Sequence, residues 1–113
     1  MACSAAFCML KQEDLTGRWA AAAFYENGRS VGAKLDSIAL HLRPDGGYEF
    51  RSQGFYRESG RYRVSARHLF LTDTTAQPPL EHTLKVLYVD KDTLKIAMKH
   101  EGHEQVLFFA RRE

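Results

Sequence analysis

A chain of 113 residues has room for a single domain. Its 44% apolar and 27% charged content is ordinary for a folded domain and excludes an intrinsically disordered chain. A formal net charge of +2, from sixteen Lys and Arg against fourteen Asp and Glu, is too balanced to demand a polyanionic partner.

The opening Met1–Leu10 is apolar and uncharged. It is too short to span a bilayer and lacks the basic start of a secretory signal. Three readings stay open: a short helix plugging one end of the domain, the remnant of an export signal, or a lipoprotein Cys3 following a small residue. A cell-envelope or a cytoplasmic location follows from which of these holds. Cys3 and Cys8 fit neither a Cys-x-x-Cys redox pair nor half of a zinc site, and no further cysteine follows them. The chain therefore divides into an N-terminal segment, 1–14, and a domain, 15–113.

Within that domain, β-rich runs alternate with turn signals about every 8–12 residues. Gly17-Arg18-Trp19 opens the first run, and Trp19, Ala21, Ala23 and Tyr25 are expected to share one face. Glu26 to Lys34 reads as a flexible loop. A second run, Leu35 to Leu42, alternates Ile38, Leu40 and Leu42 against polar neighbours, and Arg43-Pro44-Asp45-Gly46-Gly47 is a strong hairpin turn. Tyr48 and Phe50 mark the third run, Tyr62 and Val64 the fourth, Leu69 and Leu71 the fifth. Pro78-Pro79 requires a loop between Thr72 and Glu81, since proline cannot donate to a ladder.

The sixth run holds Leu84, Val86 and Tyr88. The seventh sets Leu94, Ile96 and Met98 against Lys95, Ala97 and Lys99. In the last, Val106, Phe108 and Ala110 oppose Gln105, Leu107 and Phe109. Short links require antiparallel neighbours, and a sheet with one dry face and two open edges is best stabilised by closing on itself. The predicted fold is all-β: an eight-strand antiparallel up-and-down meander closed as a barrel, with a possible short N-terminal helix.

The order and spacing of several motifs carry a resemblance. Leu15-Thr16-Gly17-Arg18-Trp19 resembles the Gly-x-Trp opening of lipocalin and calycin barrels. Leu42-Arg43-Pro44-Asp45-Gly46 with Tyr48 and Phe50, Gly60-x-Tyr62-x-Val64 and the closing Phe108-Phe109-Ala110-Arg111-Arg112 are similar to small bacterial lipocalin-like domains. The resemblance implies that an arginine of the last strand, Arg111 or Arg112, lies over Trp19 behind Gly17 and closes one end of the barrel. Such a contact stabilises by roughly 0.5–2 kcal/mol.

The resemblance also implies a non-enzymatic binder of a small apolar ligand inside the barrel. The expected lining is Ala21, Ala23, Tyr25, Ile38, Leu40, Phe50, Tyr62, Met98 and Phe108, with the tyrosines supplying hydroxyls and the Glu26–Lys34 loop a lid. The competing reading is a barrel filled by its own side chains, acting through an outer face or an open edge, as a monomer or an edge-paired homodimer.

Residues 41–70 carry +3 through Arg43, Arg51, Arg57, Arg61, Arg63 and Arg67, while the flanking thirds are neutral or slightly acidic. The Arg51–Arg67 stretch suggests a nucleic-acid or anion surface, although Glu49 and Glu58 interrupt it and a solvated outer face is the simpler reading. His41, His68, His82, His100 and His103 are scattered and show no metal-ligand spacing. Ser37 and His41 lie more than ~12 Å apart along one strand, too far for a nucleophile–base pair. No catalytic residue, metal or cofactor is assigned.

Overall fold

Turn chemistry sets the strand ends. Asp45 accepts the Gly47 N–H at 2.8 Å and the Arg43 carbonyl accepts the Gly46 N–H at 3.1 Å, which reverses the chain where Pro44-Asp45-Gly46 predicts it. The computed structural model describes residues 10–31, 35–52 and 56–112. Cys3, Cys8, Lys34 and most of the N-terminal segment lie outside the described residues. The described elements are a one-turn helix α1 (Gln12–Leu15), β1 (Gly17–Glu26), β2 (Arg29–Ser30), a 3-10 turn (Leu35–Ser37), β3 (Ala39–Leu42), β4 (Gly47–Ser52), β5 (Tyr56–Ser65), β6 (His68–Asp73), β7 (Leu80–Val89), β8 (Thr93–His100) and β9 (His103–Arg112).

Every neighbouring pair is antiparallel, in the order β1-β3-β4-β5-β6-β7-β8-β9, and β9 pairs back onto β1. The result is a closed eight-strand up-and-down barrel, with β2 a two-residue appendix on the end of β1. No helix among the described residues is long and apolar enough to cross a membrane.

Alternate residues point inward and meet in one core. Trp19, Leu40, Leu42, Tyr48, Leu69, Leu84, Val86, Leu94, Ile96 and Phe109 are almost wholly enclosed. The strand directions define two ends. At the lower end, where β1 starts and β9 finishes, α1 lies across the opening with Leu15 fully buried. There the Trp19 indole N–H donates to the Leu15 carbonyl at 2.8 Å, and Gln12 Nε2 donates to the Pro44 carbonyl at 3.0 Å.

Arg111 completes the seal. Its guanidinium lies 4.2 Å from the Trp19 ring centre and donates to the Thr16 carbonyl at 2.6 Å and to the Lys91 carbonyl. Gly17 explains the opening motif physically. Its φ is +140°, and a Cβ there would stand 2.3 Å from Arg111 Nη1, so only glycine leaves room for the guanidinium.

Several expectations are corrected. Residues 26–31 are not a loop. Asn27 and Gly28, at φ +50° and +81°, make a two-residue turn from β1 into β2. The second run is shortened, because Leu35–Ser37 form a 3-10 turn before β3 begins at Ala39.

The face assigned to β1 is broken by a bulge between Ala21 and Ala23. One extra residue flips the alternation. Trp19, Ala21 and Phe24 therefore contact the core, while Ala23 and Tyr25 face outward. A second bulge between Val86 and Tyr88 turns Tyr88 out, half exposed, and brings Val89 onto the core. In β9 both faces are apolar, and pairing with Leu94 and Ile96 selects Phe109 and Leu107 as the inward set.

Candidate functional site

The upper end differs chemically from the lower. Following the inward alternation upward leads from Tyr62 to Gly60 and Glu58 on β5, from Leu71 to Asp73 on β6, and from Leu84 to His82 on β7. Three neighbouring strands thus bring two carboxyls and an imidazole together inside the barrel. Glu58 is 7% exposed and Asp73 6%. Their donor atoms and that of His82 all lie within 4.8 Å of one another.

Each member has its own support. The Tyr48 hydroxyl, fully buried, donates to Glu58 Oε2 at 2.6 Å. Thr75 donates both its backbone N–H, at 2.9 Å, and its hydroxyl to Asp73 Oδ1. His82 Nε2 lies 3.5 Å from Glu58 Oε2, is itself buried, and has no hydrogen-bond partner among the described residues. A Cβ at Gly60 would fall 1.9 Å from the Thr72 carbonyl, so glycine is what allows β5 and β6 to approach closely beside the cluster.

Beside this cluster Tyr48, Leu71 and Leu84 are buried, while Phe50, paired with Glu58, is partly exposed. Ala21, Phe24, Leu35, Phe50 and Met98 pack against the core from the upper end and retain some exposure. Leu80, the first residue of β7, is 53% exposed at the rim. Carboxylates and an imidazole acceptor framed by apolar groups suit a ligand with an apolar body and a hydrogen-bond-donating or cationic head.

The residues expected to line a cavity are divided by the structure. Ile38 and Leu40 are buried in the wall, and Ala21, Phe50 and Met98 reach the upper interior. Tyr62 points inward, but its hydroxyl donates to the Arg43 carbonyl at 2.7 Å, which commits it to the lower turn. Ala23, Tyr25 and Phe108 are on the outer wall, where the Phe108 ring lies edge-on to Tyr25 at 5.8 Å and beneath the Lys95 ammonium at 4.8 Å. Of the two candidate arginines, Arg111 takes the place over Trp19, and Arg112 is exposed on the outer wall.

Glu58, Asp73, His82 and Phe24 carry no local motif. A period-two extension of Tyr62, Leu71 and Leu84 reaches the first three, and that extension is the signal in the sequence for them.

The eight-strand closed meander, with a Gly-x-Trp opening and an arginine of the last strand over the tryptophan, defines a lipocalin-like fold. Among solved structures, the chain is similar to a lipocalin-like protein from Bacteroides uniformis. The two are 17% identical with a TM-score of 0.65, over 88% of this chain and 99% of that one. No protein-family model and no curated protein matches the sequence.

Proposed function

We propose that this domain is a non-enzymatic binder of a small amphipathic molecule, seated at the upper end of the barrel. The carrying observation is the pair of buried carboxyls with the buried His82 nitrogen, which among the described residues makes no hydrogen bond, at an end where Phe50 and Met98 are partly exposed. The deeper barrel is occupied by its own side chains, so a ligand would have to sit above them. A primary ammonium has three donors, and Glu58 and Asp73 offer carboxyl acceptors close together beside His82. The two carboxyls are already held by Tyr48 and Thr75, and a carboxylate has acceptor sites beyond those for a cation to engage. The apolar body then gains about 25 cal/mol per Å² removed from water, less the cost of ordering the ligand.

Native mass spectrometry of the purified protein, compared with the denatured sample, detects a retained ligand as extra mass. Thermal shift with dodecylamine and with dodecanoate tests the chemistry. Dodecylamine should raise the melting temperature where dodecanoate does not, and Met98→Trp should abolish the shift. Equal shifts by both compounds would remove the role of the carboxyls. No shift by either, with no retained mass, would remove the binding site.

A further inference from the structure

The structure also assigns a second site, independent of the first, on the outer wall. We propose that a groove between Arg18 and Arg112 on one side and Arg51 and Arg57 on the other binds a compact oligophosphate anion.

The register builds the groove. Arg112, Arg18 and His41 are directly paired in one row across β9, β1 and β3. In the next row, Ala110, Ala20, Ala39, Arg51 and Arg57 are paired in turn across β9, β1, β3, β4 and β5. Ladder partners project from the same face, and this face is the outer one because Trp19, between Arg18 and Ala20, and Leu40, between Ala39 and His41, point inward. The methyl groups of Ala20 and Ala39 form a shallow floor, and the arginines stand around it. The resulting concavity has a volume of about 570 Å³, the size of a small-ligand site.

Charge tells what fits. Among the described residues none of the four guanidiniums makes an ion pair or hydrogen bond. The one acid in the lining, Glu49, is engaged by Arg43 at 2.9 Å. Arg63, by contrast, has Glu81 at 3.7 Å and lies over the Phe70 ring.

Arg18 directly faces Arg112, and Arg51 directly faces Arg57. Like charges opposite one another destabilise a ladder. Two such pairs around one concavity are a local cost that a bound polyanion relieves. Strand spacing and rise place Arg18 and Arg51 about 12 Å apart at Cα, a span that two inward-leaning arginines close around two or three linked phosphates. Guanidinium forks bind phosphate oxygens two at a time. Among the described residues the groove's lining holds no exposed Phe, Tyr or Trp, since its Trp19 is buried. A base would find only His41 and the guanidinium planes to stack on, so phosphate contacts dominate, which favours a compact anion.

Isothermal titration calorimetry with inorganic tripolyphosphate, at about 50 mM salt where surface charges are weakly screened, tests the assignment. One-site binding is expected, weakened at least tenfold in Arg18→Gln and in Arg51→Gln and unchanged in Arg63→Gln. Tripolyphosphate should raise the melting temperature of the wild type. Arg57→Gln without ligand should melt at or above the wild type, because it removes a repulsive pair. Absence of binding, or equal weakening by Arg63→Gln, would overturn the site. Tighter binding of a single-stranded oligothymidylate than of tripolyphosphate would overturn its assignment to a compact anion.

Discussion

At the lower end of the barrel Trp19, Leu42, Leu69 and Leu94 are fully enclosed, and α1, Gly17 and Arg111 close the opening over them. At the upper end Phe24, Phe50 and Met98 keep some exposure, and two carboxyls are buried with a histidine nitrogen that makes no hydrogen bond among the described residues. The two ends share the same eight strands, so strand pairing does not make the difference. Side-chain chemistry does. Where the inward residues are apolar and the Trp19 and Tyr62 polar atoms are bonded, the end contributes stability. Where ionisable groups are placed inside, as at the upper end, stability is given up, the pattern expected of functional sites.

The largest effect should come from Trp19→Ala. It removes a fully buried aromatic, leaves a cavity, and takes the donor from the Leu15 carbonyl. A loss of about 3–5 kcal/mol is expected in urea unfolding. Phe50→Ala, at the partly exposed end, should cost roughly half as much, because less area leaves water there on folding. Equal losses would mean that the upper end is packed as tightly as the lower, and the division between the ends would fail.

Next in size is Gly17→Ala, at about 1–3 kcal/mol, from a strained backbone and a displaced guanidinium. The mechanism can be separated from the magnitude. If the glycine exists to seat Arg111, then Gly17→Ala and Arg111→Ala should be markedly non-additive in a double-mutant cycle. Strict additivity would show that the backbone conformation alone requires glycine.

Glu58→Gln and Asp73→Asn probe the other end. Both keep a side chain of nearly the same shape and can still accept from Tyr48 or Thr75. Removing a buried charge without removing its acceptors should change stability by less than about 1 kcal/mol, in either direction. Dodecylamine binding should weaken at least tenfold in both. A large stability loss with unchanged binding would make the cluster a structural network instead.

How much of this was legible follows the same division. The lower end was readable because its parts are local signals: Gly17 and Trp19 two residues apart, a Pro-Asp-Gly turn, and an arginine at the end of the last run. Eight short alternating runs with short links favoured a barrel, since closing the sheet removes both open edges. The upper end was not readable in the same way. Ala23, Tyr25 and Tyr88 were placed on the wrong face because a bulge has no reliable signature in a single sequence, and one inserted residue inverts everything beyond it.

Phe108 was misplaced for a different reason. With Val106, Leu107, Phe108 and Phe109 in succession, alternation is silent, and only the partner strand decides. Glu58, Asp73 and His82 come from three strands, so spacing along the chain could not gather them. The arginine stretch was likewise divided: Arg51 and Arg57 join Arg18 and Arg112, which are remote in sequence, while Arg43 and Arg63 pair with acids.

The smallest expected effect lies at the lower rim, where Asp90 closes the turn from β7 to β8. Its carboxylate accepts the Tyr88 hydroxyl at 2.6 Å and the N–H groups of Asp92 and Thr93 at 2.8 and 2.7 Å. The Tyr88 hydrogen bond foremost, then the two backbone bonds, hold the Asp90 carboxyl below its ordinary 3.8. A carboxyl lowered in the folded state favours folding once the pH exceeds the unfolded value, and the benefit disappears as pH falls through the folded value. Asp90→Asn should therefore melt slightly below the wild type at neutral pH. The gap should hold down to about pH 4 and close below it, as protonation makes the wild type resemble the variant. Because the turn is exposed, added salt should narrow the gap at neutral pH as well. A gap that persists at pH 2.5 would assign the effect to turn geometry and not to charge. In that case the charge that matters at the lower end would be that of Arg111 over Trp19, and Asp90 would serve only to shape its turn.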